Sequence, residues 1–304
     1  MPSPNLSTLR IYNYKGVHFP CWLGDEILGN VTRITLSNCK NCVELPPFGN
    51  LPKLQHLEIS GMNFVQYVDN QCYDGWLKRC FVQLKSLWLT DLPNLERLSR
   101  EEGKEMFPFL SHLHVYNCPK LMLPGLESVK ILEVGGVNEL LLKSISNLCC
   151  LTRLCLSNND NVTSFPQGML ENLTTLKSLR IFTFTKLQEF SSDMLMGCKA
   201  LETLDISCCD ELKCLPEGIF QSSSCLQDIT IDNCKNLKSL SDSFGDLTAL
   251  QSLELIACPE LVGFPTSLGR LSSLRNLTMS ELVFERPELV HLPEAFHTSL
   301  HLNP

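Results

Sequence analysis

Residues 201–216 read LETLDISCCDELKCLP, and the pattern in this stretch decides the fold. Leu204 and Ile206 alternate with polar residues, and this period of two is typical of a short strand with one buried face. Cys209 follows three residues after Ile206, and a second apolar pair comes next and ends at Pro216. Because proline has no N–H and a fixed φ, the second half of the unit suits an irregular outer segment.

The same pattern recurs along the whole chain, on average about 24 residues apart, within the range of leucine-rich repeats. The last two apolar positions of each L-x-x-L-x-L segment are Leu9/Ile11, Ile34/Leu36, Leu57/Ile59, Leu87/Leu89, Leu113/Val115, Leu132/Val134, Leu154/Leu156, Leu179/Ile181, Leu204/Ile206, Ile229/Ile231, Leu253/Leu255 and Leu277/Met279. One unit buries too few side chains to fold alone, so the units are expected to stack and share one core.

These repeats predict an α/β fold, a leucine-rich-repeat solenoid shaped as a horseshoe. Its concave side is a parallel β-sheet of about twelve short strands, and its convex side is mostly irregular and poor in helix. We expect one leucine-rich-repeat domain over 1–304, with a loop inserted at 69–80 where the repeat spacing is longest. The repeat begins at Leu6 without a polar cap, which predicts that the sequence is a segment of a longer chain.

Composition excludes several classes of protein. Hydrophobic residues make up 44% of the chain and charged residues 19%, which excludes a disordered chain. The net charge of −8 argues against a nucleic-acid partner. No apolar run is long enough to span a membrane, and the N-terminus does not resemble a signal peptide. We therefore expect a cytoplasmic or nuclear protein that does not bind membranes.

Sixteen cysteines raise the question of disulfides or metal sites. The C-x-x-C of Cys39 and Cys42 has no second pair in register with it, so no metal ligand set and no cofactor is predicted. Instead, the slot three residues after the strand core predicts a buried structural ladder in which cysteine acts as a small apolar residue. The ladder comprises Cys39, Cys118, Asn159, Cys209, Cys234 and Cys258.

No catalytic motif is visible, so an enzyme is not expected. Strand alternation places the polar positions on the concave face, where we expect a protein partner to bind. Large aromatic and arginine side chains are the usual anchors of such surfaces, so Trp88, Tyr116, Arg180 and Phe182 are the leading candidates. The complete predicted set is Trp88, His112, His114, Tyr116, Arg153, Arg180, Phe182, Asp205, Asp228, Asp232 and Glu254. The simpler interpretation is a solvated sheet surface without a partner.

Four segments near the start are specific enough to indicate a family. They are FPCWLGD at 19–25, LSNCKNC at 36–42, LPPFGNLP at 45–52 and LEISGM at 57–62. With the later repeats, they resemble the leucine-rich-repeat region of plant intracellular nucleotide-binding leucine-rich-repeat (NLR) disease-resistance proteins of the coiled-coil class. The resemblance implies a non-enzymatic recognition module that senses pathogen effectors or guarded host proteins. It also implies contact with a nucleotide-binding switch domain, whose phosphate-binding loop this sequence lacks.

Two other interpretations of the repeats stay open. One is the extracellular repeat domain of a receptor-like protein, although such domains usually carry a Gly-x-Ile-Pro step that this sequence lacks. The other is a substrate-recruiting adaptor of a ubiquitin ligase, which would need an F-box-like helical segment upstream of the repeats.

Overall fold

The structure is a computed structural model, and it divides into two compact units, 1–150 and 151–304, which are described separately. The described residues are 3, 5–24, 26–69, 80–100, 106–136 and 138–282. The predicted inserted loop lies outside these ranges except for its two ends, Asp69 and Cys80.

The first unit contains six parallel strands that pair in the order of the sequence. They are β1 (Thr8–Tyr12), β2 (Arg33–Ser37), β3 (His56–Ser60), β4 (Ser86–Thr90), β5 (His112–Tyr116) and β6 (Ile131–Gly135). The described parts of the connections hold one short α-helix, α1 (Glu139–Ser144), and four 3₁₀ turns, Cys21–Gly24, Glu26–Leu28, Phe48–Asn50 and Ile145–Asn147. The amide oxygen of Asn138 caps α1 by accepting a hydrogen bond from the Leu141 N–H.

The second unit repeats this plan with six further parallel strands, again paired in sequence order. They are β7 (Arg153–Ser157), β8 (Ser178–Phe182), β9 (Thr203–Ser207), β10 (Asp228–Asp232), β11 (Ser252–Ile256) and β12 (Asn276–Ser280). Its described connections contain two 3₁₀ turns, Asp242–Asp246 and Thr266–Arg270. The prediction of twelve short parallel strands with connections poor in helix is confirmed.

Leucine-rich strand positions form the core of each unit. The strands pair position by position. Ile229 of β10 therefore lies beside Leu253 of β11, and Ile231 lies beside Leu255. The second and fourth residues of a strand are buried from β2 to β11, whereas Leu9 and Ile11 of β1 are only half-buried. The first, third and fifth residues point to the opposite side, which we call the open face.

One residue with a left-handed backbone conformation, that is with positive φ, directly follows each described strand. Asn38 and Asn117 have φ of 55° and 51°, and Gly61 has φ of 61°. The backbone N–H of such a residue donates to the last carbonyl of the next strand, as Asn38 does to Ser60 over 2.9 Å. This adds one bond to the ladder and turns the chain away from the sheet, which Asn and Gly tolerate at low cost.

Candidate partner-binding surface and buried ladder

The open face of the first unit carries an aromatic group centred on Trp88. Trp88 is 45% exposed, and its ring stacks on that of His114 with centroids 4.5 Å apart. The indole Nε1–H donates to Ser86 Oγ over 2.7 Å, and His114 Nδ1 lies 3.2 Å from Glu133 Oε2. These contacts hold a large exposed aromatic ring in one orientation, which lowers the entropy lost when a partner covers it.

The other predicted residues of this face lie around that group. Tyr116 ends β5 and is half-buried, and it pairs in register with Thr90 of β4. His112 begins β5 and is exposed, with its Nδ1 2.8 Å from Ser111 Oγ. The structure therefore brings four of the predicted residues together on two neighbouring strands, β4 and β5.

The open face of the second unit has a connected group of a different kind. Arg180 Nε donates to Asp205 Oδ2 over 3.0 Å, and the Arg180 guanidinium lies 5.8 Å from the centre of the Phe182 ring. Ser207 Oγ donates to the second oxygen of Asp205. Arg153 is exposed at the first position of β7, where it pairs in register with Ser178. Arg180 is thus already engaged by a carboxylate, so its charge is partly balanced within the chain.

Three further predicted carboxylates lie on the next two strands, β10 and β11. Asp228 and Asp232 occupy the two ends of β10, and Glu254 lies beside Thr230 at the centre of β11. No ion pair joins these three side chains to another of the described residues. They make this part of the face acidic.

The slot residues that follow the strands lie inside the units. Cys39, Cys118, Cys209, Cys234 and Cys258 are each at most 1% exposed and carry free thiols. Each thiol donates to the carbonyl two residues before it, as from Cys118 to Tyr116 over 3.4 Å. The Cys118 thiol also lies 3.8 Å from the Leu89 carbonyl of the preceding repeat. One small side chain therefore contacts backbone carbonyls of two adjacent coils.

The thiols of Cys209, Cys234 and Cys258 interact with one another. A hydrogen bond with the Cys209 thiol is the largest of the effects that raise the pKa of Cys234 to about 12. Burial raises the pKa of Cys118 to about 12 as well. Such thiols remain protonated at neutral pH and act as packing groups rather than nucleophiles.

Asn159 occupies the same slot but bonds differently. It is 3% exposed, and its side-chain oxygen accepts from the N–H groups of Asn161 and Val162 over 2.8 and 2.9 Å. The amide oxygen therefore stabilises the turn that follows it within its own repeat.

Sequence patterning does not single out Arg33 and His56. Both lie at the first position of a strand, on neighbouring strands β2 and β3. Burial, and after it the charges of Arg33, Lys85 and His112, lower the pKa of His56. The sequence does contain one signal for these two residues. Both are first residues of a strand, and strand alternation places that position on the open face.

Neither a membrane-spanning helix nor a metal-ligand cluster occurs in the described ranges. Within those ranges, no helix has the length and hydrophobicity that a bilayer span needs. Among the same residues, no three His, Cys, Asp or Glu side chains are grouped as metal ligands.

The sequence is similar to one known family and to several named proteins. Residues 1–62 match the family described as R13L1/DRL21 LRRs. Disease resistance protein RGA2 of Solanum bulbocastanum is 35% identical over 193 residues, which are 62% of this chain and 18% of that protein. RGA1 of the same species is 40% identical over 189 residues, 62% of this chain and 19% of that protein. The chain therefore spans less than a fifth of the length of these relatives.

A solved structure with some likeness is the leucine-rich repeat domain of the type III effector XCV3220 (XopL). It is 20% identical, has a TM-score of 0.43 and matches 57% of this chain and 69% of that one. The twelve parallel strands, rather than this likeness, carry the assignment of the fold. The repeat period and these strands identify the chain as a leucine-rich-repeat region, and its sequence is similar to part of the disease resistance proteins RGA1 and RGA2.

Proposed function

We propose that the open face is a non-enzymatic protein-recognition surface of a plant innate-immune receptor. It senses a pathogen effector or a guarded host protein, and in a longer receptor it also restrains a nucleotide-binding switch domain. The observation that carries the proposal is Trp88, which is 45% exposed yet fixed by the His114 ring and the Ser86 hydroxyl. A cytoplasmic or nuclear location belongs to the same proposal.

An exposed and ordered tryptophan side chain carries a free-energy cost in the unbound protein. An exposed indole contributes little to folding, and fixing its orientation lowers the entropy of the unbound state. Both costs are recovered when a partner removes the ring from water, and Trp and Tyr are typical hot-spot residues for this reason. Tyr116 adds a second ring on the neighbouring strand.

The test is a double variant, Trp88→Ala with Tyr116→Ala. A panel of pathogen effectors is first screened for binding to the wild-type chain, and each positive is then measured by calorimetry. Loss of a hot spot of about 2 kcal/mol would weaken binding roughly 30-fold. Circular dichroism checks that the variant remains folded.

Phe109→Ala provides the matched control in the same unit. Phe109 is 59% exposed but lies before β5, outside the open face. We expect the Phe109→Ala variant to bind each effector with the affinity of the wild type. If the double variant binds normally and Phe109→Ala weakens binding, the open face is not the recognition surface.

A further inference from the structure

The open face of the first unit has a row of positively charged and titratable groups along one edge. Arg33, His56 and His112 are first residues of β2, β3 and β5, and the register connects them through Ser86 of β4. Lys85 directly precedes β4, so it lies beside this edge and not at one of the strand positions of the open face, and it is exposed, as are Arg33 and His112. We call Arg33, His56, Lys85 and His112 the basic row.

Among the six strands in the described part of this unit, none begins with a carboxylate, since their first residues are Thr8, Arg33, His56, Ser86, His112 and Ile131. Neither Arg33 nor Lys85 forms an ion pair with a described residue. The acid nearest to His56 along its own strand, Glu58, lies in the next row of the face and accepts a hydrogen bond from Thr35 Oγ1. The positive potential of the row is therefore directed at solvent.

The positive charges of the row affect the pKa of His56. Burial is the first cause of its lowered pKa, and the charges of Arg33 on β2, Lys85 just before β4 and His112 on β5 follow. All three charged neighbours act in the same direction. A bound anion would reverse that effect by stabilising the imidazolium form.

We propose that the basic row docks an acidic, extended segment of the partner protein. This inference rests on the proposed function and adds the chemistry of the ligand. Neighbouring strands lie about 4.8 Å apart, so the three strand intervals from Arg33 to His112 span roughly 14 Å, the length of about four extended residues. A single small anion would cover only one interval.

Other parts of the molecule favour an acidic protein segment over a nucleic acid. Glu58 and Glu133 stand at the third positions of β3 and β6, close to the row on the same face. The whole chain carries a net charge of −8. A long polyphosphate backbone would extend past the row into this repulsion, whereas an acidic segment of about four extended residues ends where the row ends.

Binding of an acidic segment at the basic row favours the protonated form of His56, so we expect the affinity to depend on pH. The charged groups around His56 are Arg33, Lys85 and Glu58, and His56 itself, with its lowered pKa, is neutral at neutral pH and can gain a proton. Because the bound segment favours the protonated imidazole of His56, its affinity rises as the pH falls. Each additional surface charge pair contributes up to about fivefold in affinity.

The experiment measures fluorescence anisotropy of a labelled hexaglutamate peptide with the full chain at low salt, at about pH 7.5 and about pH 5.5. Hexaglutamine and an oligothymidylate of equal charge are the comparison probes. We expect hexaglutamate to bind more tightly at the lower pH, by up to about fivefold for each histidine that gains a proton. Hexaglutamine should not bind, and the oligothymidylate should bind more weakly than hexaglutamate.

Three variants locate the site. Arg33→Gln with Lys85→Gln should weaken binding at both pH values, whereas His56→Gln with His112→Gln should remove the difference between them. Arg153→Gln, at the first position of β7 in the other unit, is the matched control and should bind as the wild type does.

Several results would overturn the proposal. They are no hexaglutamate binding at either pH, equal binding of hexaglutamine, tighter binding of the oligothymidylate, or an equal loss in the Arg153→Gln variant.

The outcome of the peptide experiment is separable from that of the effector test. Effector binding that depends on Trp88 without any peptide binding rejects only the basic row. Peptide binding lost in the Arg33→Gln/Lys85→Gln variant, with effector binding unaffected by the Trp88 and Tyr116 substitutions, rejects only the aromatic surface.

Discussion

Replacing Asp69 with alanine tests whether a buried carboxylate holds two successive repeats of the first unit together. Asp69 is 2% exposed and follows the outer segment of the third repeat. Its Oδ2 accepts from Ser99 Oγ over 2.8 Å and its Oδ1 from the Arg100 N–H over 3.0 Å, both in the next repeat. The Asp69 N–H donates to the Leu98 carbonyl over 3.1 Å.

The magnitude follows from the two side-chain bonds. A hydrogen bond to a charged group contributes about 1.5–3 kcal/mol, so two fully buried bonds would give at most about 6 kcal/mol. Both donors here are only partly buried, and water can replace part of the interaction. We therefore expect Asp69→Ala to lower the free energy of unfolding by about 2–4 kcal/mol. Asp69→Asn keeps an acceptor oxygen and should lose roughly half as much.

Urea unfolding followed by circular dichroism gives the global effect, and hydrogen exchange of peptides containing Arg100 gives the local one. Asp160→Ala is the control, because exposed Asp160 also accepts one hydroxyl bond, from Thr185 over 2.8 Å. Its loss should stay below about 1 kcal/mol. If Asp69→Ala is no more destabilising than Asp160→Ala and leaves exchange at Arg100 unchanged, the buried carboxylate does not join the repeats.

Two further predictions concern titratable groups. The pKa of His56 is lower in the folded state than its ordinary value, so the unfolded chain binds more protons and stability falls as the pH drops through about 6.5. His56→Gln should reduce this loss, measured as urea midpoints on either side of that pH, and an unchanged slope would contradict it. Iodoacetamide at about pH 8 should leave Cys118 and Cys234 of the folded protein unmodified, since both have pKa values near 12, while exposed Cys214 and Cys225 react. Peptide mass spectrometry reads this pattern, and modification of Cys234 at the rate of Cys225 would refute it.

The strands were predictable because every repeat places leucines in the same environment. Leu204 and Ile206 are buried as the period-two pattern predicts, and Asp205 between them lies on the open face. Deleting one such leucine costs about 2–5 kcal/mol, so the pattern has to recur in each unit for the stack to form. The residues at 69–80 break the regular spacing, and the repeat pattern alone does not determine their path.

The contacts of the open face could not be predicted from strand alternation. Alternation places Trp88 and His114 on the same side, but their stacking depends on the rotamers of two rings on different strands. Arg180 was expected as an anchor for a partner, and the structure pairs it with Asp205. That pairing depends on the reach of a long side chain across one strand interval, which the sequence spacing does not specify.

Asn159 shows the same limit inside the core. Position in the repeat predicts burial for any residue in the slot, and Asn159 and Cys234 are both buried. A thiol is a weak donor and bonds to carbonyls, whereas an amide oxygen accepts, so Asn159 captures the Asn161 and Val162 N–H groups. The slot therefore determines where the side chain lies, and the chemistry of the residue determines what it bonds.

The difference between core and open face also explains where partner specificity can be encoded. A substitution at an exposed strand position usually changes stability by no more than about 0.5 kcal/mol, several times less than the loss of a buried leucine. First strand positions can thus hold Arg33 and His56 in one unit and Asp228 in the other without affecting the sheet. Because folding does not require charges of one sign to gather along an edge, the proposed acidic segment of a partner accounts for the basic row more simply than the stability of the repeats does.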